Sequence, residues 1–207
     1  KSLFFQDNAM INTIYESESD EMWFGTDHGA SRFNGEEFEN FGVKEGLCDS
    51  VITSIVQDEK GNIWLGTRNG ISVFDGSKFI TYTVKNGLAD NAINVLKLDA
   101  RKNIWVGTGK GLCKLNHNQE LDQHAEFITY HPARDNNSNI IYSLYLDYES
   151  NLWVGTYNGM FRYRGDGFTT YTENDGLSNT FIYPILRDNA GNLLVGTGGG
   201  GLYRFVN

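Results

Sequence analysis

The sequence predicts an all-β protein, a β-propeller of five four-stranded antiparallel blades, and three observations carry that prediction. The tetrad Trp-x-Gly-Thr begins at Trp23, Trp64, Trp105 and Trp153 and returns with leucine for tryptophan at Leu194, at intervals of 41, 41, 48 and 41 residues. Between tetrads the apolar residues are β-branched or aromatic, in short runs separated by Gly, Asn and Asp turns. No segment places apolar residues at i, i+3, i+4 and i+7 over the length a helix needs. Four short strands in a repeat of about 40 residues is the pattern of a propeller blade. The whole chain, residues 1–207, reads as one domain with repeats centred on Trp23, Trp64, Trp105, Trp153 and Leu194.

The second copy shows each element in order. Its strands are expected at 51–57, 62–67, 70–74 and 79–83. Asp58 stands six residues before Trp64, as do Asp99, Asp147 and Asp188 before their tetrads, and Ser17 takes that place in the first copy. Gly61-Asn62 turns the chain into the second strand, and Gly191-Asn192 repeats it. That strand, Ile63-Trp64-Leu65-Gly66, is apolar on both faces and is expected to lie between neighbouring sheets. Its glycine reads as room for the adjacent sheet. A second glycine follows (Gly29, Gly70, Gly111, Gly159 and the run Gly198–Gly201), then a Phe-x-x-Phe/Tyr pair such as Phe79 and Tyr82. Gly-Leu closes the unit at Gly46-Leu47, Gly87-Leu88 and Gly176-Leu177. The fifth copy ends at a third strand near 201–206, so Ser2-Leu3-Phe4-Phe5 is expected to supply the fourth and close the ring. The alternative is part of a seven-bladed ring, with exposed sheet edges.

Composition removes several classes. The chain has 24 Gly, 2 Pro and 2 Cys, and its glycines do not recur every third residue, which excludes collagen and a disulfide scaffold. Aromatic residues spread from end to end argue against disorder. No apolar stretch approaches the roughly 20 residues that span a bilayer, so no membrane span is expected. Lys1-Ser2-Leu3-Phe4-Phe5 is too short an apolar patch for a signal peptide. A net charge of −9 without a basic run makes nucleic acid a poor partner.

The pattern Asp-x-x-Gly-Asn-Ile-Trp-Leu-Gly-Thr-x-x-Gly-Ile at 58–71, followed by Phe-x-x-Tyr-Thr and Gly-Leu at 79–88, resembles the two-component regulator propeller repeat, and the resemblance runs over essentially the whole chain. It implies an extracytoplasmic sensor region in signal transduction, periplasmic or extracellular, and a glycan fragment as the detected ligand. The chain departs from that family in having five repeats where seven per ring is usual, and in carrying no kinase or linker domain.

Chain direction places the loop before each first strand and the turn between the second and third strands on one face, the top. Positions that repeat between copies are structural, and positions that vary there are free to specialise. The varying turns read Asp27-His28, Arg68-Asn69, Gly109-Lys110, Tyr157-Asn158 and Gly198-Gly199; the loops include Asp49-Ser50 and Asp90-Asn91. His28, Arg68, Asn69, Lys110, Tyr157, Asn158, Asp49, Asp90 and Asn91 are therefore the candidate ligand-binding residues. Amide and guanidinium groups so arranged suit a small oligosaccharide or another polar ligand. The bland reading is that exposed turns are polar in any protein. The alternative of another class is a protein–protein interaction platform with a protein partner in a signalling complex. Propeller lyases have similar repeats, so a lyase is the remote alternative; it requires a base on the top face, where His28 is the only histidine.

No catalytic residues, cofactor or metal are expected. His117, His124 and His131 fit no compact ligand spacing, and no nucleophile elbow or phosphate loop is present. Arg164-Gly165-Asp166 aligns with the hairpin Asp75-Gly76-Ser77, so it reads as a turn rather than an adhesion motif. Asn136-Asn137-Ser138 is a glycosylation sequon only in a eukaryotic secretory setting. Cys48 and Cys113 are expected as free thiols.

Overall fold

A computed structural model describes residues 9–116, 125–133, 139–177 and 180–205. Within them the repeat folds into five antiparallel sheets in chain order. The first holds β1 (Ile11–Glu16), β2 (Met22–Thr26), β3 (Ala30–Phe33) and β4 (Phe38–Phe41). The second holds β5 (Ile52–Gln57), β6 (Ile63–Thr67), β7 (Gly70–Phe74) and β8 (Phe79–Tyr82). The third holds β9 (Ile93–Leu98), β10 (Ile104–Thr108), β11 (Leu112–Leu115) and β12 (Phe127–Tyr130). The fourth holds β13 (Ile141–Leu146), β14 (Leu152–Thr156), β15 (Gly159–Tyr163) and β16 (Phe168–Tyr171). The fifth has three strands, β17 (Ile182–Arg187), β18 (Leu193–Thr197) and β19 (Gly201–Phe205). Ser2-Leu3-Phe4-Phe5, expected as its fourth strand, lies outside the described residues.

The first strands β1, β5, β9, β13 and β17 pack one beside the next, so they form the inner side of the array and the fourth strands its outer edge. Each first strand carries a bulge near its start: the register against the second strand shifts between Ile11 and Thr13, Ile52 and Ser54, Ile141 and Ser143, and Ile182 and Ile185. A corresponding shift sits opposite Gly107 and Thr108 in the third sheet. A bulge re-aims the extra side chain out of the ladder.

The junction between sheets is a knob in a hole. A Cβ on Gly25 would lie 2.6 Å from Ile52, one on Gly66 2.8 Å from Ile93, one on Gly107 2.7 Å from Ile141, and one on Gly155 2.8 Å from Ile182. The tetrad glycine is thus the gap that the next sheet's first isoleucine fills, as the sequence predicts. The tryptophan before it packs on the second member of the Phe/Tyr pair: Trp23 on Phe41 at 5.5 Å, Trp64 on Tyr82 at 5.8 Å, Trp105 on Tyr130 at 5.7 Å and Trp153 on Tyr171 at 5.4 Å.

The repeated aspartate is a structural anchor. Asp58 accepts the Trp64 indole N–H at 2.9 Å, the Asn62 side-chain amide at 2.8 Å, and the backbone N–H groups of Lys60 and Asn62 at 2.9 Å each. Asp99 and Asp147 hold Trp105 and Trp153 in the same way, both at 2.8 Å. In the first copy the Ser17 hydroxyl reaches the Glu21 N–H and the Ser19 hydroxyl, and the buried Trp23 indole nitrogen finds no acceptor among the described residues.

The two ends of the array differ from its interior. Ile14 on β1 is 57% exposed, whereas the register-equivalent Ile55, Leu96, Leu144 and Ile185 are 5%, 2%, 8% and 7% exposed. Leu202 on β19 is 69% exposed, whereas Ala30, Ile71, Leu112 and Met160 in its place are 0%. The structure therefore does not show a closed ring: a blade-type face is open to solvent at each end.

Candidate functional site

The upper rim is built by the threonine that ends each tetrad. Thr67 donates its hydroxyl to the Gly70 carbonyl at 2.8 Å and accepts the Asn69 N–H at 3.0 Å. Thr26, Thr108 and Thr156 repeat the donation to Gly29, Gly111 and Gly159. Gly70 sits at φ +125°, and a Cβ there would lie 2.5 Å from the Tyr82 carbonyl, so this position is closed to other residues. Threonine and glycine fix the turn, and the two residues between them are presented outward.

Those two residues are mostly exposed. Arg68, Asn69, Lys110, Tyr157, Asn158 and His28 all face solvent. The structure also brings turns and loops together as expected. The Gly70 N–H donates to the Asn91 carbonyl at 2.8 Å, and the Asn91 side-chain amide reaches Asn69 Oδ1 at 3.5 Å, joining the second and third sheets. The Thr180 hydroxyl donates to Asn158 Oδ1 at 3.0 Å, joining the fourth and fifth. Lys110 Nζ is 3.6 Å from Asp90 Oδ2. His28 Nδ1 lies 2.7 Å from Asp27 Oδ1. That contact, with the Met10 N–H, holds the Asp27 carboxyl below the usual carboxylate range.

Several candidates are spent on the loops themselves. Asp49 Oδ1 accepts the Val51 N–H at 2.8 Å, and Asp90 Oδ1 accepts the Asn91 N–H at 2.8 Å. Asn91 Oδ1 accepts the Val84 N–H at 2.9 Å. These side chains build the face on which Arg68, Lys110 and Tyr157 stand.

A feature the sequence reading missed lies at the bulges. In the first three sheets the bulge side chain latches onto the next sheet: Asn12 Nδ2 donates to the Ile52 carbonyl at 3.0 Å, Thr53 Oγ1 to Ile93 at 2.7 Å, and Asn94 Nδ2 to Ile141 at 2.8 Å. The fourth and fifth sheets place Tyr142 and Tyr183 there instead, and these rings gather with Phe181 and Tyr157. The signal was present as the residue after each first-strand isoleucine, which reads Asn12, Thr53, Asn94, Tyr142 and Tyr183.

A cleft on the opposite face, between the third and fourth sheets, is lined by Asp99, Arg101, Lys114, Glu149 and Tyr163 among others. Its most buried acid, Asp99, is engaged with Trp105. Burial pushes the Asp99 carboxyl up, but the Trp105 indole, Asn103 and the Arg101 N–H outweigh it and leave the group below the usual range. Among the described residues no group of three or more His, Cys, Asp or Glu is placed to hold a metal ion. His117, His124 and the Asn136 sequon lie outside the described residues; His131 is exposed. Arg164-Gly165-Asp166 is a β15–β16 hairpin turn, with Gly165 at φ +104° as Gly76 is at +95°. Cys48 and Cys113 are free, and burial pushes the Cys113 thiol up. No helix of the described residues is long and apolar enough to cross a membrane.

Comparison with known proteins gives a repeat-family match over about a third of the chain, and a fold. The two component regulator propeller model matches residues 46–69, 87–110 and 136–158, each containing one tetrad. The extracellular domain of the hybrid two component system BT3049 from B. thetaiotaomicron superposes with a TM-score of 0.81 at 19% identity, over 98% of this chain and 28% of that one. That of BT4673 from the same organism gives 0.61 at 18%, over 100% of this chain and 37% of that one. The chain therefore spans about a third of the length of these neighbours. Virginiamycin B lyase from Staphylococcus aureus gives 0.73 at 13%, over 98% of this chain and 71% of that one. At these identities the likeness is one of fold. No curated protein sequence matches the chain.

Proposed function

We propose that this chain, three segments of which match the two component regulator propeller model, is a non-catalytic ligand-binding module of a sensor that works outside the cytoplasm and takes a small oligosaccharide or another polar ligand on its upper rim. One observation carries the reading: the turn residues that repeat are locked by Thr–Gly hydrogen bonds, while those that vary, Arg68, Lys110, Tyr157 and His28, are exposed on the same face. Interchangeable scaffold turns would have no need of Asp27, Arg68 and Tyr157 at one position or of His28, Asn69 and Lys110 at the next. The extracellular origin of the sensor domains that share the fold supports the location. The test is thermal-shift screening of the chain with neutral and acidic oligosaccharides. A stabilising sugar whose effect is lost in Arg68→Ala or Lys110→Ala supports the rim; an effect unchanged in both variants removes these residues from the site.

A second reading, a protein–protein platform, is favoured by the open end faces around Ile14 and Leu202, which present the chemistry of an internal blade junction. Closure of a five-bladed ring through residues 2–5, or incorporation in a larger ring, would also cover them. Removal of residues 1–6 separates the cases, because an edge strand contributes several kcal/mol of packing and backbone bonds. The lyase reading requires turnover that depends on His28, and His28→Ala decides it.

A further inference from the structure

Tyrosine at the fourth bulge leaves the junction of the fourth and fifth sheets without the side-chain latch of the first three junctions, and Tyr183 takes the same place in the fifth sheet, beyond which no further sheet is described. What replaces the latch is a four-ring cluster. Ring centroids lie 5.0 Å apart for Tyr142 and Phe181, 5.3 Å for Tyr142 and Tyr183, 4.4 Å for Phe181 and Tyr183, and 5.0 Å for Tyr157 and Phe181. The cluster is not core, since Tyr157 is 49% and Tyr183 45% exposed. It is accommodated by the backbone: a Cβ at Gly198 would lie 2.6 Å from Phe181 Cδ1, so this turn, which carries Arg68 or Tyr157 in other copies, is glycine where Phe181 stands over it.

We infer that Tyr142, Tyr157, Phe181 and Tyr183 form a stacking subsite for a neutral saccharide ring at the inner upper edge of the fourth and fifth sheets. The inference rests on the reading of the rim as a ligand site and adds where and how the sugar is held. Three arguments select a sugar. The touching rings meet at 63°, 53°, 53° and 42°, so no two in contact are parallel and they form no stacked slot for a flat heterocycle; a faceted surface fits a puckered ring. Tyrosine offers an apolar face for C–H groups and a hydroxyl for their neighbours, which matches the alternation of a pyranose. The adjacent polar pair, Asn158 and Thr180, is neutral, while Arg68 and Lys110 belong to the second and third sheets. Burial first, then the neighbouring Tyr183 and Tyr157 phenols, push the Tyr142 hydroxyl upward, so it stays a neutral donor.

The experiment uses the full chain, isothermal titration, and a panel of neutral tri- to hexasaccharides alongside acidic ones and indole. Tyr142→Asn installs the residue of the first and third copies and is expected to keep or raise the melting temperature, so a loss of binding in it is not a loss of fold. Tyr183→Ala is the second variant. Expected is a neutral oligosaccharide whose Kd rises about tenfold or more in each tyrosine variant. If a sugar binds and both variants bind it within about twofold of the parent, the subsite falls and the rim reading stands on Arg68 and Lys110. If no sugar binds at all, both fall. Binding of indole in preference to sugars overturns the choice of ligand.

Discussion

Replacing Asp58 with serine gives the second sheet the arrangement that the first already has at Ser17. The carboxylate now takes two backbone N–H groups on Oδ1, and the Trp64 indole and Asn62 amide on Oδ2, all at 2.8–2.9 Å. A serine hydroxyl at this place can keep a backbone N–H, as Ser17 keeps that of Glu21 at 3.1 Å. It cannot reach the indole, and Trp64 is fully buried, so its N–H would lose water and acceptor together. A hydrogen bond to a charged acceptor contributes about 1.5–3 kcal/mol, and the relief of a buried carboxylate offsets much of the loss of three. The expected net loss is about 3 kcal/mol, or roughly 6–12 °C in melting temperature for a chain of this size. Urea and thermal unfolding followed by tryptophan fluorescence measure it. A loss below about 1 kcal/mol would refute the claim that the repeated aspartate is there to hold the tryptophan. The reciprocal change, Ser17→Asp, supplies the missing acceptor to Trp23 and is expected to stabilise.

The carboxyls of Asp99, Asp147 and Asp188 are held below the ordinary value of 3.8, against burial in the first two, so the unfolded chain binds protons more readily than the folded one. Stability from these groups is full above about pH 5 and is lost as pH falls through 3.8 toward their folded values; Asp99→Asn should flatten that acid limb in pH-dependent urea titrations. Gly66→Ala drives a methyl to within 2.8 Å of Ile93 and is expected to cost about 1–3 kcal/mol, whereas Ala at Gly76, with open space around it, should cost only the roughly 1 kcal/mol of its left-handed backbone. Chemical denaturation of the two variants side by side checks the difference. Ile14→Ser and Leu202→Ser should each change stability by less than about 0.5 kcal/mol if the end faces stay open in solution, while Ile55→Ser costs about 3 kcal/mol or more. Equal losses at Ile14 and Ile55 would mean that the first face is covered.

The strands could be read from the sequence because each blade solves the same packing problem. A buried sheet demands β-branched and aromatic runs, a sheet resting on another demands the tetrad glycine, and both demands recur with the repeat. The top face was readable for a similar reason: chain direction alone puts the Arg68-Asn69 turn beside the Asp90-Asn91 loop, and Asn69 meets Asn91 there. Two things were hidden. Polarity does not distinguish a side chain that folds back on its own loop from one that faces solvent, so Asp49 and Asn91 look like Arg68 until their hydrogen bonds are known. The aromatic cluster depends on register. Tyr142 and Tyr183 stand in separate copies, and they converge only because a bulge in each first strand turns them out of the ladder and because Gly198 leaves room for Phe181 between them. A repeat teaches its own exceptions, however. Ser17 among four aspartates and two tyrosines among Asn12, Thr53 and Asn94 are the places where the shared packing code is broken. The first break leaves a buried indole without an acceptor among the described residues, whereas the second creates exposed aromatic surface, which is why only the second is proposed to bind a ligand.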